Sequence, residues 1–255
     1  MNQPVLQCKN VSFSYHNLKG ETQALMNISF QVNKGEFISI VGPSGCGKST
    51  LLSLIAGLEK PKSGEILLHQ EDNDSIGYML QQDHLFQWRT IKNNILLGPE
   101  IQKNLTLEKE TYALKLLEEY GLSQFKDKKP SELSGGMKQR AALIRTMVME
   151  PTLLLLDEPF SALDYQTRLI VSADIGKIIK ESGITAILIT HDLSEAISLS
   201  DRVIVLSKRP AFVKKEIPIS LTLTDDSPLA SRNAPEFNDY FSLLWKEISD
   251  EYSPN

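Results

Sequence analysis

The chain lacks three features that would each point to a class of protein: many cysteines, a long apolar run and an excess of basic charge. Its two cysteines, Cys8 and Cys46, give no disulfide framework, which favours a reduced cytoplasmic compartment. No apolar stretch approaches the ~18–20 residues of a membrane-spanning helix, so any membrane association is expected to come through a partner. The start of the chain, Met1 to Pro4, has neither the basic residues nor the apolar run of a secretion signal.

The charge balance is mildly acidic, with 27 basic and 32 acidic side chains and a net charge of −5. This balance argues against a protein that binds DNA or RNA mainly by electrostatic attraction. With 255 residues, the chain is long enough for one large α/β domain or two small ones.

Residues 42–50 are the most informative stretch, because they fit the phosphate-binding pattern G-x-x-x-x-G-K-[ST]. A buried strand is predicted before them at 37–41, and apolar residues at helical spacing follow. Glycines let the main chain wrap closely around phosphates, and the helix points the positive end of its dipole at them. A simple glycine-rich turn is the alternative, but the strand–loop–helix context favours a nucleotide site. The expected contacts are Gly42, Pro43, Ser44, Gly45, Cys46, Gly47, Lys48, Ser49 and Thr50.

Beyond this loop, predicted strands alternate with predicted helices, which indicates a parallel sheet with ligands at its carboxyl edge. Lys48 is expected to reach the β- and γ-phosphates, and the Ser49 hydroxyl to ligate magnesium. Further strands are predicted at 5–15, 24–32, 65–69, 76–80, 153–157, 185–190 and 202–207, with a helical block from 90 to 150 and helices at 164–180 and 194–200.

Three chemically active side chains lie at the ends of predicted strands or directly after them. Asp157 is expected to hold magnesium across from Ser49, directly or through water. Glu158 comes next and can polarise an attacking water as a general base or as an orienting group. His191 follows another strand, where it is expected to contact the γ-phosphate or to fix Glu158. A lone histidine at a strand end would usually be structural, but its position among these groups favours a functional role.

The segment Leu133-Ser134-Gly135-Gly136-Met137 resembles the signature sequence of the ATP-binding cassette (ABC) ATPases, and the resemblance extends over about residues 5–215. It implies an α/β fold: a P-loop NTPase with a RecA-like parallel-sheet core, an antiparallel β subdomain and an inserted helical subdomain. By the same resemblance, residues 42–50 are the Walker A loop and residues 161–164 are the D-loop. The remaining implied roles are adenine stacking for Tyr15, the Q-loop glutamine and a magnesium ligand for Gln81, the Walker B aspartate for Asp157, the catalytic glutamate for Glu158 and the switch histidine for His191.

The signature segment implies a second chain. Ser134, Gly135 and Gly136 place a hydroxyl and backbone N–H groups at a helix N-terminus, which is an anion site of its own. In the ABC family this site binds the γ-phosphate of ATP held by the other subunit, and Asp164 of the D-loop is also assigned to the nucleotide site. The resemblance therefore implies two ATP, with Mg²⁺, held between two chains.

The expected organisation is an ABC ATPase domain at 1–220 and a C-terminal extension at 221–255. Within the domain, the core covers about 1–84 and 151–220, and the helical subdomain covers about 85–150. The extension is expected to contain a helix that packs on its own domain or on a partner. Residues 85–88, Leu-Phe-Gln-Trp, are expected to form a contact surface or a small internal plug.

Finer resemblance points to ATPase subunits that import nitrate, sulfonates, taurine or the pyrimidine precursor of thiamine. Gln87 and Lys138 depart from that group, where proline and arginine are usual. The expected partners are a second ATPase chain of the same sequence, transmembrane permease subunits and an extracytoplasmic solute-binding protein. The expected location is the cytoplasmic face of the membrane, with no nucleic acid bound.

Two other functions stay open at this stage. A soluble ABC ATPase that acts on nucleic acid or ribosomes would usually carry coiled-coil insertions, zinc motifs or a second cassette, and none is present in the sequence. A small-molecule P-loop kinase would not need the signature segment or His191.

Overall fold

The computed structural model describes residues 4–17, 20–68, 75–223 and 229–249. The acidic segment at 224–228 and the predicted strand end at His69 lie outside these ranges. So do the first three residues, where no secretion signal was expected.

A three-stranded antiparallel sheet covers one side of the core. Its strand order is β2-β1-β4. The strands are β1 (Pro4–Asn17), β2 (Gly20–Asn33) and β4 (Ser63–Leu68).

A six-stranded sheet forms the centre of the molecule. Five of its strands are parallel, and the edge strand β9 is antiparallel to β8. In spatial order the strands are β5 (Ile76–Met79), β6 (Leu153–Asp157), β7 (Thr185–Ile189), β3 (Phe37–Val41), β8 (Arg202–Leu206) and β9 (Val213–Pro218). The predicted fold class, a parallel-sheet core with an antiparallel sheet and helices, is confirmed, although β9 was not predicted.

Four helices and two short 3₁₀ turns occupy the connection between β5 and β6. The helices are α2 (Ile91–Ile95), α3 (Leu97–Ile101), α4 (Leu107–Glu119) and α5 (Gly135–Met147), and the turns are Ser123–Phe125 and Pro130–Glu132. The other helices are α1 (Lys48–Ile55), α6 (Tyr165–Ser182), α7 (Leu193–Leu199), α8 (Ala230–Asn233) and α9 (Phe237–Ser249).

The central strands are mostly apolar because both of their faces are covered. Leu154 and Leu156 of β6 pack into the cluster formed with the helices between β5 and β6. Leu153 and Leu155 point to the opposite face, where they join the cluster built on the antiparallel sheet. Successive side chains of a strand alternate between faces, so the sheet separates two cores and leaves its carboxyl edge for the loops.

The C-terminal helix α9 packs on its own domain. Phe237 and Leu244 are buried in a cluster with Ile197 of α7 and Val203 of β8. Trp245 on the same helix stays 61% exposed, stacked on Phe241. None of the helices in the described ranges is long and apolar enough to cross a membrane.

Candidate functional site

The candidate site lies at the carboxyl edge of the six-stranded sheet. Strands β3, β5, β6 and β7 run parallel, so the loops that follow them emerge at the same edge. The phosphate loop follows β3, Gln81 follows β5 and His191 follows β7. Asp157 is the last residue of β6, and Glu158 follows it. A cavity of about 440 Å³ at this edge is lined by Ser44, Gly45, Gly47, Lys48, Ser49, Thr50, Glu158, His191 and Arg209.

The phosphate loop holds a buried cation against its own backbone. The Lys48 Nζ donates hydrogen bonds to the carbonyl oxygens of Gly42 and Pro43, at 2.9 and 3.1 Å, and the side chain is 6% exposed. Gly47 precedes α1 with a φ of +127°, and a Cβ there would lie 2.9 Å from a methyl of Leu25. Glycine is therefore required at this position both by the backbone conformation and by the close approach.

Ser49 and Asp157 meet across the loop. The Ser49 hydroxyl donates to Asp157 Oδ1 at 3.1 Å, and the Tyr78 hydroxyl lies 3.5 Å from Oδ2. Burial raises the pKa of the Asp157 carboxyl, and the charge of Glu158 adds to the increase. A cation beside this carboxylate would favour its ionised form.

The donor set at Ser49 and Asp157 fits magnesium. Among the described residues, no three His, Cys, Asp or Glu side chains gather into a metal-binding cluster. Mg²⁺ does not need one, since it commonly keeps several waters and binds one or two protein oxygens together with substrate phosphates.

Glu158 is the centre of a small polar network. Its Oε2 lies 3.2 Å from His191 Nδ1 and 3.4 Å from Gln81 Nε2. Gln81 Nε2 also donates to the Ser161 hydroxyl at 3.2 Å. The sequence placed the three predicted catalytic residues only near strand ends, and the fold brings both His191 and Gln81 into contact with Glu158.

The backbone of Glu158 is strained, with a φ of +46°. Its N–H donates to the Ile189 carbonyl at 2.9 Å, and its carbonyl accepts from the Ser161 hydroxyl at 2.9 Å. A non-glycine residue in this region costs about 1–3 kcal/mol and persists where the surroundings over-determine it, which is common at functional sites.

Tyr15 lies beside the phosphate loop, and its side chain is half-exposed. Its hydroxyl shares a 2.8 Å hydrogen bond with the Thr50 hydroxyl, and its ring packs edge-on against Phe13 with centroids 4.9 Å apart. The aromatic ring is thus held close to the C-terminal end of the phosphate loop.

The residues of the signature segment and of the D-loop lie outside the phosphate cavity. Ser134 and Gly135 are exposed at the start of α5, where the Ser134 hydroxyl accepts from the Met137 N–H at 3.4 Å. Asp164 is exposed too and caps α6 by accepting from the Thr167 N–H at 3.1 Å. Neither segment is among the described residues that line the phosphate cavity.

Two side chains of the site were missed from the sequence. Arg209 lines the cavity and donates from Nη2 to the Gly45 carbonyl at 2.6 Å. It follows β8, so the strand-end rule that located His191 would also have found it. Tyr78 contacts Asp157 from inside β5, and its alternation with buried neighbours gave no sign of this contact.

Comparison with known proteins decides the family. The family model described as ABC transporter matches residues 25–161. The chain belongs to the ABC transporter family. As a member, it is an ATP-binding subunit and an ATP hydrolase coupled to transmembrane transport, and the predicted family and enzyme class are confirmed.

Relatives of this ABC protein match over nearly its whole length. An uncharacterized ABC transporter ATP-binding protein, YtlC of Bacillus subtilis, is 47% identical over 96% of this chain and 95% of its own. The taurine import ATP-binding protein TauB of Roseobacter denitrificans is 37% identical over 94% of each chain. The predicted resemblance to the group that includes taurine importers is thereby confirmed.

A solved ABC cassette has the same fold. The ATP-binding cassette MJ0796, in a dimeric post-hydrolysis state bound to ADP and Pi, superimposes with a TM-score of 0.71 at 31% identity. The match covers 84% of this chain and 99% of that one. Its dimeric state agrees with the dimer expected for this ABC protein.

Proposed function

We propose that this chain is the ATPase subunit of an importer, and that two chains close around two ATP and reopen on hydrolysis. The observation that carries this proposal is the separation of two phosphate-binding elements within one chain. The loop at 42–50 surrounds a cavity together with Glu158 and His191, whereas Ser134 and Gly135 are exposed away from it. A second copy would bring its own signature residues to that cavity.

In this proposal, Lys48 binds the β- and γ-phosphates and the phosphate loop wraps around them. Tyr15 stacks on the adenine, and Ser49, Asp157 and Gln81 hold Mg²⁺, which neutralises charge on the phosphates. Glu158 orients and deprotonates the attacking water, while His191 and Gln81 fix its carboxylate at 3.2 and 3.4 Å. Ser134, Gly135, Gly136 and Asp164 of the second chain complete the site.

The segment at 85–88 is proposed to contact a transmembrane permease. Leu85 is buried and anchors the segment, whereas Trp88 is 73% exposed and stacks on Phe86 with ring centroids 4.8 Å apart. The fully buried Asn94 fastens the segment, accepting from the Phe86 N–H at 2.7 Å and donating to the Phe86 carbonyl at 3.1 Å. A rigidly held, exposed aromatic pair suits docking to a partner.

Gln81 lies a few residues before this segment and contacts Glu158. Closure of the nucleotide site would therefore move the permease contact. The subunit would sit at the cytoplasmic face of the membrane as a peripheral protein, with an extracytoplasmic solute-binding protein supplying the solute.

For the solute we propose a small organic or inorganic anion such as taurine, another sulfonate or nitrate, or else the pyrimidine precursor of thiamine. The similarity to a taurine import protein favours the sulfonate choice. We also propose the division into an ATPase domain at 1–220, with a core at 1–84 and 151–220 and a helical subdomain at 85–150, and an extension at 221–255.

The decisive experiment replaces Glu158 by glutamine in the full-length chain. E158Q keeps the size and hydrogen bonds of the side chain but removes the base, so we expect ATP binding to be intact and turnover to fall about 100-fold or more. The trapped ATP should yield a dimer by size-exclusion chromatography. Glu119→Gln, an exposed change on α4, is the matched control and should hydrolyse ATP normally.

Normal hydrolysis by E158Q would overturn the assignment of Glu158. Stimulation of the wild-type ATPase by DNA, RNA or ribosomes would favour a non-transport ABC ATPase. Transfer of phosphate to a metabolite instead of its release would favour a kinase. For the solute, the co-purified binding protein should bind taurine or alkanesulfonates in calorimetry. If it binds no sulfonate, no nitrate and no pyrimidine, the proposed solute class is contradicted.

A further inference from the structure

Arg168 bridges two loops of the proposed hydrolytic site without lining the cavity. It lies in the first turns of α6, just after the D-loop segment 161–164. Its Nη2 donates to the Leu163 carbonyl at 2.9 Å and to the Ser161 carbonyl at 3.4 Å. Its Nη1 lies 3.9 Å from the Asp192 carboxylate, the residue directly after His191.

Each end of this bridge leads back to Glu158. On one side, the Ser161 hydroxyl donates to the Glu158 carbonyl at 2.9 Å. On the other side, His191 Nδ1 lies 3.2 Å from Glu158 Oε2. Arg168 therefore closes a ring that runs from Glu158 through Ser161 and Asp192 to His191 and back to the carboxylate.

Asp192 transmits the contact to the start of α7. Its Oδ1 accepts from the N–H groups of Ser194 and Glu195, at 2.8 and 3.3 Å, and so caps the helix. An arginine that holds this carboxylate from the side fixes the loop from which His191 projects.

The site needs an arginine in particular. The planar guanidinium presents several donors at fixed angles and can reach two carbonyls and a carboxylate together, whereas a lysine ammonium lacks this fork. Arg168 Nε is buried and has no hydrogen-bond partner among the described residues. A buried donor without a partner costs about 1–3 kcal/mol, which offsets part of what the Nη contacts contribute to stability.

We propose that Arg168 is a positioning residue that locks the D-loop to the histidine loop and so sets the geometry between His191 and Glu158. This inference rests on the proposed roles of Glu158 and His191. It assigns to Arg168 an effect on the chemical step and none on nucleotide binding, because the Arg168 side chain does not line the phosphate cavity.

The test compares R168M and R168K with R202M in the full-length chain. Arg202 is a matched control, since it is also partly buried (side chain 17% exposed against 22% for Arg168), pairs with Glu36 at 2.8 Å and donates to the Gln31 carbonyl at 2.7 Å. It begins β8, at the opposite edge of the sheet from the phosphate loop. The readouts are kcat, KM for ATP, the ATP Kd and the midpoint of thermal unfolding.

We expect R168M to lower kcat about tenfold or more while KM and Kd stay within about threefold of wild type. R168K should recover part of kcat, and R202M should keep kcat within about twofold whatever its thermal midpoint. If R168M does not fold, R168K is compared with Arg202→Lys in its place. The expected result is again a lower kcat at an unchanged KM in the Arg168 variant only.

Three outcomes would overturn the role of Arg168: wild-type kcat in both Arg168 variants, a rise of KM at unchanged kcat, or an equal loss of kcat in R202M. E158Q is assayed in parallel to separate the two proposals. An inactive E158Q with fully active Arg168 variants defeats only this inference, whereas an active E158Q defeats the proposed function itself.

Discussion

Two helix N-termini of this chain carry the same chemistry in opposite surroundings. Helix α1 begins beneath the phosphate loop, with a buried lysine, no side-chain cap and a cavity in front of it. Helix α5 begins at the signature segment, where Ser134 caps the helix and faces solvent. Both ends direct backbone N–H groups outward and both favour anions.

The difference lies in what each end needs from elsewhere. The α1 end is surrounded by polar groups of its own chain, among them the buried Asp157. Burying such groups costs free energy unless a ligand or another polar group pairs with them. The α5 end holds no buried charge, and its glycine serves a packing role as well: a Cβ on Gly136 would lie 3.0 Å from methyls of both Thr167 and Val171. In the proposed dimer, one half of the nucleotide site is therefore complete within the chain, and the other is exposed for a second copy.

The largest predicted effects come from breaking each half separately. Lys48→Ala should weaken ATP binding about 100-fold or more, because it removes the cation for the phosphates. Ser134→Asp keeps a good N-cap but puts negative charge where a phosphate of the other chain should bind, so ATP binding should persist while dimerisation and hydrolysis are lost. Thr106→Asp, at the cap of α4, is the control for Ser134→Asp and should behave as wild type.

Mixing the two inactive chains sharpens this comparison. A mixed dimer keeps one of its two sites intact, so phosphate release should return to roughly a quarter of the wild-type rate if the chains pair at random, and to roughly half of it if only mixed dimers form. The assay is phosphate release from equimolar mixtures. Activity no higher than that of either variant alone would contradict a site shared between chains.

Overpacking the signature end should be costly for folding. Gly136→Val forces methyl groups into the contact between α5 and α6 and should lower the free energy of unfolding by about 2–3 kcal/mol in urea titrations. Val171→Ala in the same chain should restore part of the loss. Ser134→Asp should leave stability unchanged, and an equally large loss there would show that the whole segment, and not the glycine contact, is sensitive.

The buried carboxyl of Glu195 on α7 should make the free energy of unfolding fall with rising pH. Burial raises the pKa of Glu195 to about 7 from 4.5, with Asp192 raising it further and the Thr190 hydrogen bond, Arg168 and His191 opposing the rise. Between these values the folded state holds a proton that the unfolded state has lost, so the stability present below pH 4.5 declines until about pH 7.

Glu195→Gln removes this titration while keeping an acceptor for the Thr190 hydroxyl. It should be about 3 kcal/mol more stable than wild type at pH 8 and lose that advantage near pH 4.5, as measured by urea unfolding at each pH. The exposed Glu119→Gln is the control. A difference between Glu195→Gln and wild type that does not change with pH would contradict the prediction.

The smallest effect should come from the rim of the phosphate cavity. Arg209→Ala removes a cation near the loop but leaves the loop intact, so KM for ATP should rise about three- to tenfold with kcat nearly unchanged. Arg209→Lys should have a KM for ATP between that of the wild type and that of Arg209→Ala. A wild-type KM in Arg209→Ala would mean that the arginine only braces Gly45.

The sequence by itself determined the elements that short-range chemistry specifies. The phosphate loop requires glycines and a lysine at set spacing, and the strands at 37–41, 153–157 and 185–189 are mostly apolar because both faces are buried. Together these patterns predicted the parallel sheet and the edge where Asp157, Glu158 and His191 would lie. The resemblance to the ABC family required one further motif, the signature segment at 133–137.

Only the tertiary structure decided which of those residues touch. The distance from Glu158 to His191, the strained φ of Glu158, the bridge made by Arg168 and the place of Arg209 depend on how strands distant in sequence are ordered in the sheet. Strand order, and with it β9, is set by long-range packing that no local pattern encodes. The exposure of Ser134 is likewise a property of the fold. The sequence predicts an anion site at Ser134, but only the packing of α5 decides whether that site is buried or exposed.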